Sequence, residues 1–162
     1  ELLAAVNNIL HAINEVAKTY NMPIIFSAHP RTRKKIEERG YTFNELVKYM
    51  KPLGFNDYNK LQKNAFCVIS DSGTITEESS LLGFPAITIR QAHERPEGMD
   101  EGTLIMSGVE VNDILDSIKV VTSQKEEMHV VNDYDVNHLA NKVVRIILSY
   151  TGYINRTVWR KY

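Results

Sequence analysis

The hydrophobic pattern of the chain changes repeatedly between a helical and a strand-like period. Apolar residues recur at helical spacing over residues 2–16, and the polar segment 21–23 with its proline ends that helix. The short apolar run over residues 24–28 then predicts a buried strand. The chain therefore opens with a helix followed by a strand.

The same alternation continues along the rest of the sequence. It predicts strands over residues 46–53, 85–89 and 104–106 and one beginning at Phe66, and helices over residues 32–39 and 57–64, between Thr74 and Gly83, over residues 109–122 and from Leu139 to Leu148. Strands that alternate with helices imply a parallel sheet with helices on both faces, so we expect an α/β, Rossmann-like fold. Ligands of such folds lie outside the carboxyl ends of the strands.

Composition narrows the class of protein. The 162 residues carry a formal net charge of -1 and 43% of them are hydrophobic, which is typical of one soluble globular domain with a core. Bulk charge gives no reason to expect a nucleic-acid partner, and no apolar run is long enough to span a membrane. We therefore expect neither partner and a cytoplasmic location. The single cysteine, Cys67, lies in a predicted strand, and we interpret it as a buried small hydrophobe.

Residues 66–78 predict a buried strand that leads through a Ser-Gly turn into a helix. Free backbone N–H groups at such a helix start can bind phosphate, and Thr74 and Glu77 have the spacing of a capping box. Glu77 or Glu78 could accept hydrogen bonds from a ribose or sugar diol. The turn is neither a Walker A loop nor a GxGxxG fingerprint, so a helix start that is only capped and binds nothing is the alternative.

A polar, charge-dense connection over residues 90–103 follows the next strand. Binding groups are often placed on such a loop. Arg95 is the best candidate, because its guanidinium is a planar fork of donors that suits diphosphate oxygens and because the following proline restricts its backbone. The alternative is a solvated loop whose arginines and glutamates pair with each other. His29, Ser72 and Arg90 also fall at the carboxyl ends of predicted strands and could face one crevice.

Both ends of the sequence suggest a larger protein. Helical spacing begins at the first residues with no capping sequence before it, so we expect the chain to be cut from something longer. The last segment, residues 150–162, is unusually aromatic and basic for a chain end, and we expect it to dock on another surface.

Five short motifs follow one another in the middle of the chain: Ser70-Asp71-Ser72-Gly73, Glu77-Glu78, Gly83-Phe84-Pro85, Glu94-Arg95-Pro96-Glu97 and Gly102-Thr103. In order and spacing they resemble the C-terminal half of the non-hydrolysing UDP-N-acetylglucosamine 2-epimerases. Residues 29–33, 51–55 and 155–159 further resemble the branch that acts on UDP-2-acetamido-2,6-dideoxy-L-talose. That branch makes UDP-N-acetyl-L-fucosamine for surface polysaccharides such as capsule and O-antigen.

The resemblance implies a two-domain fold of the GT-B type, in which two Rossmann-like domains surround a cleft. Residues 1–162 would form the C-terminal, UDP-binding domain, and residues 150–162 would dock on the missing N-terminal domain. Site residues carried over from the resemblance are Ser72 and Gly73 for phosphate oxygens with Thr74 beside them, Glu78 for the ribose hydroxyls, Arg95 for the diphosphate, Tyr58 near the uracil and His29 at the cleft wall. His29 could equally be a hydrogen-bonded residue at a strand end.

The implied reaction is epimerisation of a UDP-amino sugar at C2 by elimination and re-addition of UDP. The resemblance implies no metal and no other cofactor. It places the catalytic acids in the N-terminal domain, so we expect no catalytic residue in this chain and no activity from it alone; the full-length protein could be a homodimer. Thr74 and Thr76 stand where the family often has a second glycine and a glutamine, which predicts a reshaped phosphate pocket.

Two other functions stay open at this point. A glycosyltransferase of the GT-B type would use a similar domain to hold a UDP-sugar donor. A non-catalytic interaction domain would use the Ser-Gly turn only as a helix cap and its aromatic end for a partner.

Overall fold

The structure is a computed structural model that describes residues 2–28, 30–124 and 130–161, with the backbone alone for residues 2–5 and 31. The chain divides into two compact units, Glu1–Val131 and Asn132–Tyr162. The first unit contains, in chain order, α1 (Leu2–Tyr20), β1 (Ile24–Ser27), α2 (Pro30–Glu38), β2 (Val47–Met50), α3 (Phe55–Asn64), β3 (Val68–Ser70), α4 (Ile75–Leu82), β4 (Ala86–Thr88), α5 (Glu97–Asp100), β5 (Ile105–Met106) and α6 (Val111–Ser123).

All strand pairs in the first unit are parallel. β1 pairs with β2, while β3, β4 and β5 form a three-stranded sheet in that order. A helix connects each strand to the next, as parallel pairing requires. The α/β class and the parallel pairing predicted from the alternation of elements are confirmed.

β4 separates two apolar clusters because side chains along a strand alternate between its faces. Ile87 packs on one face with residues of α1 and α6, including Val16 and Ile118. Ala86 packs on the other face with Ile75 of α4. Helices thus cover both faces of this sheet, and the large apolar side chains that remove most surface from water lie next to its central strand.

The same alternation places polar side chains at one end of the sheet. Ser70 of β3 and Thr88 of β4 are in register, directly after the apolar pair Val68 and Ala86. Both therefore lie at the carboxyl ends of their strands, on the face that carries α4. Arg90, two residues beyond Thr88, continues this row.

Two elements of the first unit differ from the prediction. β2 ends at Met50, because its partner β1 ends at Ser27 and the chain beyond Met50 has no neighbouring strand to pair with. The connection over residues 90–103 contains the short helix α5, which the polar composition did not predict. Pro96 precedes α5 with helical dihedral angles, and Gly102 follows it with φ +68, which favours glycine.

The second unit contains α7 (Leu139–Thr157). The segment expected as a tail from residue 150 is therefore helical through Thr157, and the predicted end of the last helix at Leu148 was wrong. The hydroxyls of Ser149, Thr151 and Thr157 are satisfied within this helix, because each donates to the carbonyl oxygen four residues earlier, at 2.7, 2.6 and 2.7 Å. Among the described residues, no helix has the length and apolar character needed to cross a bilayer.

Candidate functional site

The Ser-Gly turn between β3 and α4 is ordered by its own hydroxyl groups. Ser72 Oγ accepts the Thr74 N–H at 3.3 Å and lies 2.9 Å from Thr74 Oγ1. The Ser72 N–H donates to Ser70 Oγ at 3.1 Å. The N–H of Gly73, between them, has no acceptor within the described parts of the chain. The turn thus offers a free backbone donor at the start of a helix, which is the arrangement that binds phosphate elsewhere.

The predicted capping box of Thr74 and Glu77 was wrong. Thr74 already has helical dihedral angles, with φ -70 and ψ -10, and its side chain makes no capping hydrogen bond. Its hydroxyl instead donates to Glu78 Oε1 at 2.8 Å. Ser72, two residues before Thr74, supplies the capping side chain, because its Oγ accepts the Thr74 N–H.

Glu78 is fixed by partners from two elements. Its Oε1 accepts the Thr74 hydroxyl, and its Oε2 accepts Nε2 of Gln62 on α3 at 2.6 Å. Gln62 is buried, with 3% of its surface exposed. The carboxylate of Glu78 is thereby held at the beginning of α4 and stays accessible to a hydroxyl-bearing ligand.

Tyr58 on α3 lies within electrostatic reach of the same carboxylate. Burial raises the pKa of Tyr58, and the negative charges of Glu78 and Asp71 raise it further. Tyr58 lies about one turn before Gln62 on α3, and Gln62 bonds to Glu78, so α3 carries Tyr58 on the side of Glu78.

Arg95 reaches the turn from the connection after β4. A Cβ atom added to Gly73 would lie 2.5 Å from Arg95 Nη1, so the guanidinium rests directly against the glycine backbone. Arg95 Nε donates a hydrogen bond to Oε1 of Glu77, which lies on α4. Arg95 Nη1 also lies 3.7 Å from Glu94 Oε2. The glycine is needed here because any side chain would displace the guanidinium.

Arg90 is a second cation at the same place. Its Nη1 would lie 3.5 Å from a Cβ on Gly73, and its Nη2 lies 3.8 Å from Glu94 Oε1. The sequence predicted Arg90 at a strand end, where it could share a crevice with His29 and Ser72, but it did not predict a contact with Gly73. The two-residue alternation Ala86, Thr88 and Arg90 was the signal that could have placed it beside the turn.

A cleft lies between the turn and the connection that carries both arginines. It is lined by Ser72, Gly73, Thr76, Thr88, Arg90, His93, Glu94, Arg95, Met99 and Leu104. Thr88 is 6% exposed, and its hydroxyl has no hydrogen-bond partner within the described parts of the chain. Two guanidiniums beside a free backbone N–H give this cleft the donors that a diphosphate needs.

The remaining predicted site residue cannot be placed. His29 lies outside the described residues, between the end of β1 and the start of α2. Within residues 2–28, 30–124 and 130–161, no three histidine, cysteine, aspartate or glutamate side chains form a group that could hold a metal ion.

Comparison with known proteins gives the family. The family model described as UDP-N-acetylglucosamine 2-epimerase matches residues 3–148. Among curated proteins, the UDP-N-acetylglucosamine 2-epimerase of Methanococcus maripaludis is 33% identical over 145 residues, which are 87% of this chain and 39% of that protein. The corresponding protein of Methanocaldococcus jannaschii is 32% identical over 86% of this chain and 39% of its own length.

Solved structures of this family have the same fold. The UDP-N-acetylglucosamine 2-epimerase from Rickettsia bellii superposes with a TM-score of 0.84 at 45% identity, over 98% of this chain and 44% of that one. The Methanocaldococcus jannaschii enzyme in complex with UDP-GlcNAc and UDP has a TM-score of 0.80 at 30% identity, over 90% of this chain and 41% of that one. The chain spans about two fifths of the length of the curated relatives it matches. Since the family model covers most of its residues, this chain belongs to the UDP-N-acetylglucosamine 2-epimerase family.

Proposed function

We propose that this chain binds the uridine diphosphate group of a nucleotide sugar for a C2 epimerase. The observation that carries the proposal is the position of the Arg95 guanidinium against Gly73, at the start of α4. The guanidinium lies against the Gly73 backbone, whose N–H has no acceptor among the described residues, and Arg90 adds a second cation to the same cleft. Charge-assisted hydrogen bonds of this kind are the strong ones in phosphate recognition.

The ribose and uracil extend from the diphosphate toward α3 in this proposal. Glu77 and Glu78 are consecutive on α4, so their side chains diverge by about 100° around the helix axis. Glu77 faces Arg95, whereas Glu78 faces Gln62 on α3. A ligand whose diphosphate contacts Arg95 could therefore place its ribose hydroxyls at Glu78 and its base near Tyr58, with Ser72 and Thr74 at the phosphates between them.

In the proposed reaction UDP is both a leaving group and a nucleophile. Removal of the C2 proton and departure of UDP from C1 give a glycal-like intermediate, and UDP adds back after C2 is protonated from the other face. Negative charge grows on the diphosphate as it leaves, and the arginines with the Gly73 N–H would stabilise it, at about 3 kcal/mol per well-placed donor. They would also keep UDP in place for re-addition.

Finer aspects of the function rest on the sequence. We propose the branch that acts on UDP-2-acetamido-2,6-dideoxy-L-talose, from residues 29–33, 51–55 and 155–159. With it come a role in surface polysaccharide synthesis, a cytoplasmic location and His29 as a contact of the nucleotide sugar.

The second unit has an apolar surface that suits docking on another domain. α7 carries exposed apolar side chains, among them Leu139, Ile147 and Trp159 just beyond its end. We propose that the region from residue 150 docks on an N-terminal domain that would supply the catalytic acids, in a full-length protein that could be a homodimer.

Isothermal titration with UDP tests the binding site. Arg95→Ala should weaken UDP binding about tenfold, because it removes charge-assisted hydrogen bonds at the turn. Arg33→Ala is the matched control, since Arg33 pairs with Glu37 on α2 and lines no part of the cleft. Equal effects of the two substitutions, or no binding of UDP by the unsubstituted chain, would contradict the proposed site.

Solvent exchange tests the reaction in the full-length protein. In deuterium oxide the enzyme should incorporate deuterium at C2 of the UDP-amino sugar without any acceptor. A requirement for an acceptor, with no exchange at C2, would contradict epimerisation.

A further inference from the structure

Two carboxylates contact the cations of the cleft in different ways. Glu77 is the more buried of the two, with 31% of its side chain exposed. Its Oε1 accepts a hydrogen bond from Arg95 Nε, and its Oε2 is buried without a partner among the described residues. A carboxylate in this position cannot turn to solvent without breaking its only hydrogen bond to a charged group. Glu77 is therefore fixed, and it fixes the guanidinium.

Glu94 is outside. Its side chain is 71% exposed, and its two oxygens lie 3.8 Å from Arg90 Nη2 and 3.7 Å from Arg95 Nη1. Both distances exceed the range of a hydrogen bond, so these are loose ion pairs. Exposed pairs of this kind contribute about 0–1 kcal/mol, which a ligand can overcome.

The net charge of the cluster depends on whether Glu94 stays beside the two arginines. Arg90 and Arg95 are balanced by Glu77 and Glu94, so the cluster carries no net charge as it stands. A diphosphate would meet a carboxylate between the two guanidiniums. Once Glu94 moves out, the cluster gains a net positive charge, while Nε of Arg95 stays bound to Glu77.

We propose that Glu77 is a positioning residue that holds Arg95 on the Gly73 turn, whereas Glu94 is an exchangeable counter-ion that the diphosphate displaces. The inference rests on the proposed function, because it assigns the diphosphate to this cleft. It predicts effects of opposite sign for the removal of two like charges that contact the same arginine.

The test is UDP titration of four single variants beside the unsubstituted chain. Glu94→Gln should tighten UDP binding about threefold, because a competing weak ion pair is lost. Glu77→Gln should weaken binding about threefold and Glu77→Ala about tenfold, because the first keeps an acceptor for Arg95 Nε and the second keeps none. Glu101→Gln, which removes an exposed charge from the same connection but lines no part of the cleft, is the matched control and should change nothing.

The Glu77→Ala substitution in a chain that already lacks Arg95 shows whether Glu77 acts by positioning Arg95 or by a general effect on the structure. In an Arg95→Ala chain, Glu77→Ala should not weaken UDP binding further, because there is no guanidinium left to hold. Weaker or unchanged binding by Glu94→Gln, or an undiminished effect of Glu77→Ala in the Arg95→Ala background, would overturn the inference. Either of these outcomes overturns this inference alone if the unsubstituted chain binds UDP and Arg95→Ala weakens that binding, because the proposed function then stands. If the unsubstituted chain does not bind UDP, the proposed function fails and the inference with it.

Discussion

Gly73 is the residue at which the backbone comes closest to both arginines of the cleft. An added Cβ would lie 2.5 Å from Arg95 Nη1 and 3.5 Å from Arg90 Nη1. The atoms in its way are the ends of flexible side chains, which can swing out. The glycine is therefore required for the position of the guanidiniums more than for the stability of the fold.

Gly73→Ala should accordingly weaken UDP binding about tenfold while the midpoint of thermal unfolding stays nearly unchanged. Gly54→Ala is the matched control, because the nearest atom to its added Cβ is 3.9 Å away, an ordinary contact. UDP titration and a thermal melt of both variants check this. A large loss of stability in Gly73→Ala with little change in affinity would show that the glycine serves the backbone instead.

Cys67 has a raised thiol pKa that couples it to folding at high pH. Cys67 lies just before β3 rather than within it, and it is partly buried against the core. This burial raises the pKa of Cys67 from 9.0 to about 12. Above pH 9 the unfolded state loses the thiol proton while the folded state keeps it, so the free energy of unfolding falls as the pH rises toward 12. Tyr20 and Tyr58 have raised pKa values and act in the same direction. The contribution of the thiol is therefore isolated by comparing the unsubstituted chain with a variant that lacks Cys67.

The stability advantage of the unsubstituted chain over Cys67→Ala should therefore shrink as the pH rises above 9. Urea unfolding at a series of pH values measures it. An advantage that stays constant would mean that the thiol ionises equally in both states.

Individual site residues were predictable to different degrees. Arg95 could be chosen from its sequence because the position before proline and the strand end are local signals. Arg90 could be placed only at a strand end near the crevice, and Gln62 could not be chosen at all, because its role arises when α3 meets α4. The partner of Thr74 was mispredicted for a related reason, since Glu77 is drawn to Arg95 from a distant part of the chain.

At the scale of elements, α5 is the part that the polar pattern concealed. It packs against α4 through a close contact: a Cβ added to Gly98 would lie 2.1 Å from Thr76 Cγ2 and 3.1 Å from Leu104 Cδ2. Thr76 is buried and β-branched, so its methyl group has little freedom to move. This contact fixes the connection that carries the arginines onto α4.

Gly98→Ala should lower the free energy of unfolding by about 1–3 kcal/mol through overpacking. Adding Thr76→Ser, which removes the obstructing methyl group, should restore more than half of the loss. Urea unfolding of the single and double variants, with Thr76→Ser alone as the reference, tests the pair. If the loss of unfolding free energy in the double variant equals the sum of the losses in the two single variants, the added methyl group at residue 98 does not meet Thr76 directly.

Helices and strands whose apolar residues recur regularly were predicted within a few residues. α1, α6 and the strands around β4 follow from local periodicity. The end of β2 and the length of α7 did not follow. The end of β2 depends on the reach of a partner strand, and the polar and aromatic residues after Leu148 concealed the continuation of α7.

For the whole molecule, the alternation of elements was sufficient to predict a parallel α/β fold, and the candidate cleft lies at the carboxyl ends of the strands, where ligands of such folds are expected. The division into the units Glu1–Val131 and Asn132–Tyr162 was not predicted, because composition alone indicated one domain. The central claim concerns the first unit alone. Its polar strand ends, the Gly73 turn and two arginines from one connection converge on one cleft.

An NMR titration of the chain with UDP tests that claim most directly, because it reports where the ligand binds. The backbone amides of Ser72, Gly73 and Arg95 should shift progressively as UDP is added, with smaller shifts in α3 around Tyr58. Amides of Ser72, Gly73 and Arg95 that stay unmoved at saturating UDP would contradict the account.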